Sequence, residues 1–259
     1  MKDALQWIRS LIFNASMYVA MLVIGLAYLP WAIVSPEGAV AGCHAYCRWV
    51  RWSAAWMIGL KTEVRGEVPT DEVMVAAKHQ SFMDVILIYG ALPRGKFIMK
   101  AILKWAPILG WFGLRIGCVP VDRGKRGAAI RKMLADVKAG KVKGGQLIIY
   151  PQGTRVAPGV RRPYKIGTAA LYAEMGQPCV PVATNVGVFW PKRGVMRRPG
   201  TAVVEFLPAI PPGEAAQAFM DRLEQMIELN SDRLAAEAGM PLPVQQGPID
   251  VPEEPGPPV

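Results

Sequence analysis

The chain has 259 residues, enough for one sizeable domain with an appendage or two small ones, and too few for a long multidomain assembly. Hydrophobic residues make up 52% and charged residues 19%, against about 25% charge in ordinary soluble proteins; this excludes a wholly disordered chain and points to membrane contact. The net charge of +10 is unevenly spread: residues 61–212 hold 24 bases against nine acids, whereas residues 213–259 hold two bases against nine acids. A polyanionic partner would therefore meet the middle of the chain.

Residues 11–34 contain no charge. As a helix they would measure about 36 Å, enough to cross a hydrocarbon core of about 30 Å. Residues 52–60 are too short to span, and Arg48 and Arg51 lie among Trp49, Trp52 and Trp56, a mixture suited to an interfacial amphipathic helix. Residues 1–60 are accordingly read as a membrane anchor. The segment Val40-Ala41-Gly42-Cys43 resembles a lipoprotein cleavage site, but the apolar stretch before it exceeds the roughly 7–15 residues of a signal core. Bases on both sides of the first segment leave its orientation, and the choice between spanning and dipping in, undecided. Cys43, Cys47, Cys118 and Cys179 form no CxxC pair. Reduced thiols and no metal site are expected, with Cys43, His44 and Cys47 read as packing.

From residue 61 to 239, short β-branched runs alternate with helical patterns. Strands are expected at 73–77, 116–121, 146–150, 179–183 and 202–206, and helices at 82–91, 128–139 and 168–175, with Gly140 and Gly176 as stops. This predicts an α/β domain with a mixed, largely parallel sheet flanked by helices. An acidic amphipathic helix at 214–238 follows. Seven prolines in residues 240–259 read as a disordered tail.

His79 stands where the first of these strands gives way to a helix, in Lys78-His79-Gln80-Ser81-Phe82-Met83-Asp84, and strand ends are where α/β domains build sites. Ser81 to Asp84 reads equally well as a capping box. The functional alternative has Asp84 hydrogen-bonding one imidazole nitrogen, leaving the other as a general base for a hydroxyl. No GxSxG motif accompanies the pair, so His79 would activate a substrate hydroxyl directly. A second cluster, Tyr150-Pro151-Gln152-Gly153-Thr154-Arg155, breaks a strand into a turn whose N–H groups and arginine fork suit a phosphate monoester. Gly117 to Arg123 is another strand ending in an arginine.

Together these blocks resemble the glycerolipid acyltransferases that carry an HX4D signature, the family that includes the 1-acylglycerol-3-phosphate acyltransferases. His79 to Asp84 is similar to the first block, Gly117 to Arg123 to the second, Tyr150 to Arg155 to the third and Val180-Pro181-Val182 to the fourth. The third block commonly reads FPEGTR, and this chain has Gln152 in place of the glutamate. The resemblance implies a cytoplasmic-facing enzyme of the inner membrane. It would move a fatty acyl group from acyl carrier protein or coenzyme A to the free hydroxyl of 1-acylglycerol-3-phosphate, giving phosphatidic acid without a cofactor.

His79 would be the base and Asp84 its orienting partner. Arg123, Arg155 and Lys100 would bind the acceptor phosphate, with Gly153 and Thr154 shaping the turn, Gln152 positioning it and Val180, Pro181 and Val182 lining a channel. Arg161, Arg162, Lys165, Lys192, Arg193, Arg197 and Arg198 become contacts to an anionic bilayer or donor, with no nucleic acid implied. The alternatives are transfer to another lyso-lipid, such as lyso-ornithine lipid, or a non-catalytic, membrane-tethered module that binds anionic lipid.

Overall fold

The computed structural model describes residues 2–121, 131, 135 and 144–241. The helix expected at 128–139, Arg123 and all but the first two residues of the tail at 240–259 lie outside the described residues, apart from the helical residues 131 and 135.

The chain begins with two long helices, α1 (Lys2–Val34) and α2 (Pro36–Ile58). Ser35 makes the hairpin between them: its side chain accepts a hydrogen bond from the Glu37 N–H and Pro36 occupies the first turn of α2, a pairing that starts a helix by filling orphan donors. Gly59, at φ 72°, ends α2 in the left-handed conformation. Cap and stop residues thus extend a helix well upstream of the amphipathic piece expected at 52–60. The cleavage-like segment at 40–43 is interior to α2, with Gly42 buried.

Among the described residues seven strands follow: β1 (Leu60–Arg65), β2 (Met74–Ala77), β3 (Lys96–Lys100), β4 (Val119–Val121), β5 (Leu147–Ile149), β6 (Cys179–Thr184) and β7 (Gly200–Phe206). They form one sheet in the order β1-β7-β6-β2-β5-β3-β4. All neighbours are parallel except β6 and β7, so the sheet is mixed but largely parallel. Among the described residues, α3 (Met83–Ala91), α4 (Leu109–Arg115), α5 (Gly167–Met175), the short α6 (Val186–Phe189) and α7 (Ala216–Glu237) lie between and after them. β1 and β3 escape the sequence reading because charges bracket or alternate through them (Lys61, Glu63 and Arg65; Lys96 and Lys100). Residues 116–118 of the strand expected at 116–121 instead close α4 and turn back through Gly117 at φ 89°, and only 119–121 form β4.

Strand alternation divides the core between two faces. Val75, Ala77 and Ile148 pack with Leu87 of α3 and with Val50, Ala54 and Ile58 of α2. Met74, Ala76, Leu147 and Ile149 pack on the other face with Leu171 and Tyr172 of α5 and Phe219, Leu223 and Ile227 of α7. The Tyr172 and Phe219 rings stack at 3.8 Å. The inner side of α2 is therefore part of the α/β core, and Phe13 of α1 joins it edge-on to Trp190 at 5.6 Å.

Candidate active site

Because β6, β2, β5, β3 and β4 all run the same way, their carboxyl ends share one edge of the sheet. His79 follows β2 by two residues, Tyr150 follows β5 directly, and Lys100 is the last residue of β3. The first and third sequence blocks, together with Lys100, thus reach a common edge at described residues. The second reaches it through Val121, with Arg123 beyond the described chain.

His79 Nδ1 lies 2.8 Å from Asp84 Oδ1. Asp84 sits in the first turn of α3 and is fully buried; its other oxygen accepts the backbone N–H groups of Gln80 and Ser81, each at 2.7 Å. The side chain of Ser81 accepts from the Met83 N–H. The helix cap and the histidine partner are therefore realised by the same carboxylate, one oxygen for each. With both oxygens of the carboxylate acting as acceptors, Nδ1 donates and Nε2 keeps its lone pair.

The imidazole stacks on the Tyr150 ring with centroids 4.0 Å apart and keeps 18% of its side chain exposed. Burial, then the neighbouring Asp84 carboxylate, pushes the Tyr150 phenol well above its ordinary pKa, so it stays neutral. The third block is tied to the histidine through the backbone, the Val156 N–H donating to the His79 carbonyl at 2.8 Å. Gly153 makes the turn at φ 69°, its N–H on the Tyr150 carbonyl. Arg155 is half-buried and makes no hydrogen bond or ion pair with any described residue. Its guanidinium is available to a ligand.

Val180, Pro181 and Val182 are buried in β6, in register with Val75, Ala76 and Ala77 of β2. The Val182 carbonyl accepts the N–H of Lys78, so the strand supports the residue immediately before His79.

Gln152 is buried, and its amide donates to the Arg162 carbonyl and to Glu228 of α7, both at 3.3 Å. Glu228 is the centre of a network that the sequence reading missed. Its carboxylate receives Lys78 Nζ at 2.6 and 2.7 Å, Arg161 at 2.6 Å and the Tyr164 hydroxyl at 3.0 Å. Burial lowers the Lys78 pKa and the Glu228 charge opposes that fall. The one hint in sequence is a glutamate beside the buried stripe Leu223, Ile227 and Leu234 of α7; its partner Lys78 is 150 residues away.

Two of the expected bilayer or donor contacts are occupied internally. Arg161 pairs with Glu228 and Asp232. Arg197 is buried against the Trp190 ring at 4.4 Å, with its backbone N–H on Ser10.

Comparison with known proteins agrees with this arrangement. Residues 61–185 match the family model described as Acyltransferase. The chain is 29% identical over 204 residues to the 1-acyl-sn-glycerol-3-phosphate acyltransferase of Pseudomonas aeruginosa, covering 78% of each chain. It is 26% identical over 230 residues to the enzyme of that name from Cocos nucifera, covering 85% of this chain and 73% of the relative. The crystal structure of the 1-acyl-sn-glycerophosphate acyltransferase from Thermotoga maritima has the same fold. It superposes with a TM-score of 0.77 at 21% identity, covering 91% of this chain and 98% of that one.

A sheet of this topology, with the acyltransferase blocks following one another along the chain, defines an acyltransferase of the α/β class. Within that class the chain is similar to the 1-acyl-sn-glycerol-3-phosphate acyltransferases.

Proposed function

We propose that the protein transfers a fatty acyl group from an acyl carrier protein or coenzyme A thioester to the free hydroxyl of 1-acylglycerol-3-phosphate, giving phosphatidic acid. The observation that carries the reading is the His79–Asp84 pair, with Asp84 locked by two backbone donors at the sheet edge. His79 Nε2 accepts the proton of the acceptor hydroxyl as its oxygen attacks the thioester carbonyl. The tetrahedral intermediate collapses by breaking the carbon–sulfur bond, and the imidazolium returns the proton to the departing thiolate. Asp84 fixes the tautomer and stabilises the imidazolium.

Arg155 takes the acceptor phosphate, with Lys100 at the end of β3 and Arg123, two residues after β4 in sequence, as further cationic partners. Gly153 and Thr154 shape the turn that presents Arg155. Gln152 holds that turn to α7.

The reaction joins an oily acceptor to a water-soluble donor, so the enzyme works at a bilayer surface, here the cytoplasmic face of the inner membrane. Support comes from α1, whose uncharged stretch is long enough to cross a bilayer and exposes large apolar side chains.

The test is acyl transfer in membranes containing the full chain, with 1-acylglycerol-3-phosphate, its phosphate-free monoacylglycerol and lyso-ornithine lipid as acceptors. Phosphatidic acid formation is expected, falling by at least about 10²-fold in His79→Ala. Unchanged turnover in that variant overturns the base assignment. Transfer confined to phosphate-free acceptors overturns the phosphate reading.

A further inference from the structure

After Lys100 the chain leaves the sheet edge and runs through a 3-10 turn (Ala101–Trp105) into α4. Residues 101–114 carry one charge, Lys104. Only part of this apolar content packs inward. Phe112 is buried with Ala32 and Ala39 at the hairpin tip, and Ile108 fills the space over Gly25 of α1, where an added Cβ would lie 2.6 Å from its side chain. Arg115 fastens the segment to the end of α1, donating to the carbonyls of Ala32 and Ile33 at 2.9 Å each.

The other large apolar side chains of the segment are in water. Ile102 is 70% and Trp105 74% exposed, and Leu109, Trp111 and Leu114 are exposed beside them. Large apolar side chains left in water are unfavourable, and an apolar patch on a surface marks an interaction site. The patch adjoins the exposed apolar residues Trp31, Ile33 and Val34 at the end of α1, through the contacts just described. Lys104 Nζ lies 5.0 Å from the Trp105 ring centroid. Lysine and tryptophan around an aliphatic centre are the composition of the bilayer headgroup boundary.

We propose that residues 101–114 form a ledge that inserts into the same lipid leaflet as the exposed face of α1. The ledge begins at the carboxyl end of β3, on the edge that carries His79, so its insertion sets that edge at headgroup depth. A lipid acceptor then reaches the histidine by lateral movement from the leaflet, and Lys100, at the root of the ledge, lies where a headgroup phosphate resides. The inference rests on the membrane association proposed above and not on the identity of the acyl acceptor.

The experiment places an environment-sensitive fluorophore on the full-length chain at Ile102→Cys, Trp105→Cys, Val23→Cys on α1 and Gln217→Cys on the exposed side of α7. The background is the parent chain carried through the same labelling. Vesicles of mixed zwitterionic and anionic phospholipid are the probe, with aqueous iodide and a lipid-borne nitroxide as quenchers. Labels at 102, 105 and 23 are expected to be quenched by the nitroxide and protected from iodide, with the reverse at 217. Insertion at 23 with an iodide-accessible 105 overturns the ledge and leaves the membrane reading intact. Insertion at neither position overturns both. Protection of 105 from both quenchers means that protein covers it, a second copy or the donor carrier, and also overturns the proposal.

In turnover, Ile102→Glu combined with Trp105→Glu should raise KM for a vesicle-borne acceptor at least about tenfold, with kcat for a short-chain soluble acceptor unchanged. A rise in the donor KM instead assigns the surface to the donor carrier.

Discussion

At the scale of single residues, the charges under the site are as informative as the histidine above them. Lys78 is almost fully buried immediately before His79, and Glu228 neutralises it while also holding Gln152, Arg161 and Tyr164. Removing one partner of such a pair leaves an uncompensated buried charge and costs about 3–5 kcal/mol. Glu228→Gln should therefore lower the denaturant midpoint by that equivalent and reduce turnover with it. Adding Gln152→Glu places a carboxylate back in the same pocket, so the double variant should recover stability relative to Glu228→Gln alone. A double variant less stable than the single one would show that Lys78 does not need the charge at that place. His79 and Asp84 were legible because five residues of local chain bring them together, one strand end and one helix turn. Glu228 was not, because tertiary packing of α7 alone sets its distance from Lys78.

At the scale of elements, the turn after β5 and the attachment of α4 show where local rules decide geometry. Gly153 holds φ 69°, and a Cβ there would lie 2.8 Å from the end of Lys165. The lysine tip can swing away, so the cost of Gly153→Ala is mainly the left-handed backbone, about 1–2 kcal/mol. The expected result is a rise in acceptor KM of about tenfold as Arg155 shifts, with a folded chain by circular dichroism. An unchanged KM would separate the turn from acceptor binding.

Arg115→Ala removes both bonds from α4 to the end of α1. Faster hydrogen exchange across residues 109–116, with β2 and β5 unaffected, is the expected signature. The central strands β2, β5 and β6 were readable as short apolar runs because they are covered on both faces. β1 and β3 were not, since an edge strand with alternating charges and a strand framed by lysines lack that pattern. The first half of α2 was hidden by small residues such as Gly38, Ala39, Ala41 and Gly42, and only its Ser35-Pro36 start marks it.

At the scale of the whole molecule, the contacts of α1 bear on how the protein meets a membrane. Near its start, Gln6 donates to the carbonyls of Ile58 and Arg197, and Ser10 and Asn14 bond the 195–197 loop. Near its end, Arg115 caps Ala32 and Ile33, and Arg94 pairs with Glu37 just past the hairpin. Residues 6 and 32 are about 39 Å apart along a helix, more than the thickness of the hydrocarbon core. The α/β domain holds both positions.

A helix that crossed the bilayer would carry one of these contacts to the opposite side, where no part of the domain could follow. For the membrane association proposed above, the contacts at both ends predict a helix that lies along one leaflet with its apolar side in lipid. Cysteines introduced at Asp3 and at Glu37 should then react with a membrane-impermeant maleimide from the same face of sealed inverted membrane vesicles, to an extent above the parent chain. Labelling of the two positions from opposite faces would mean that α1 spans the membrane and that the contacts at one of its ends are broken in lipid.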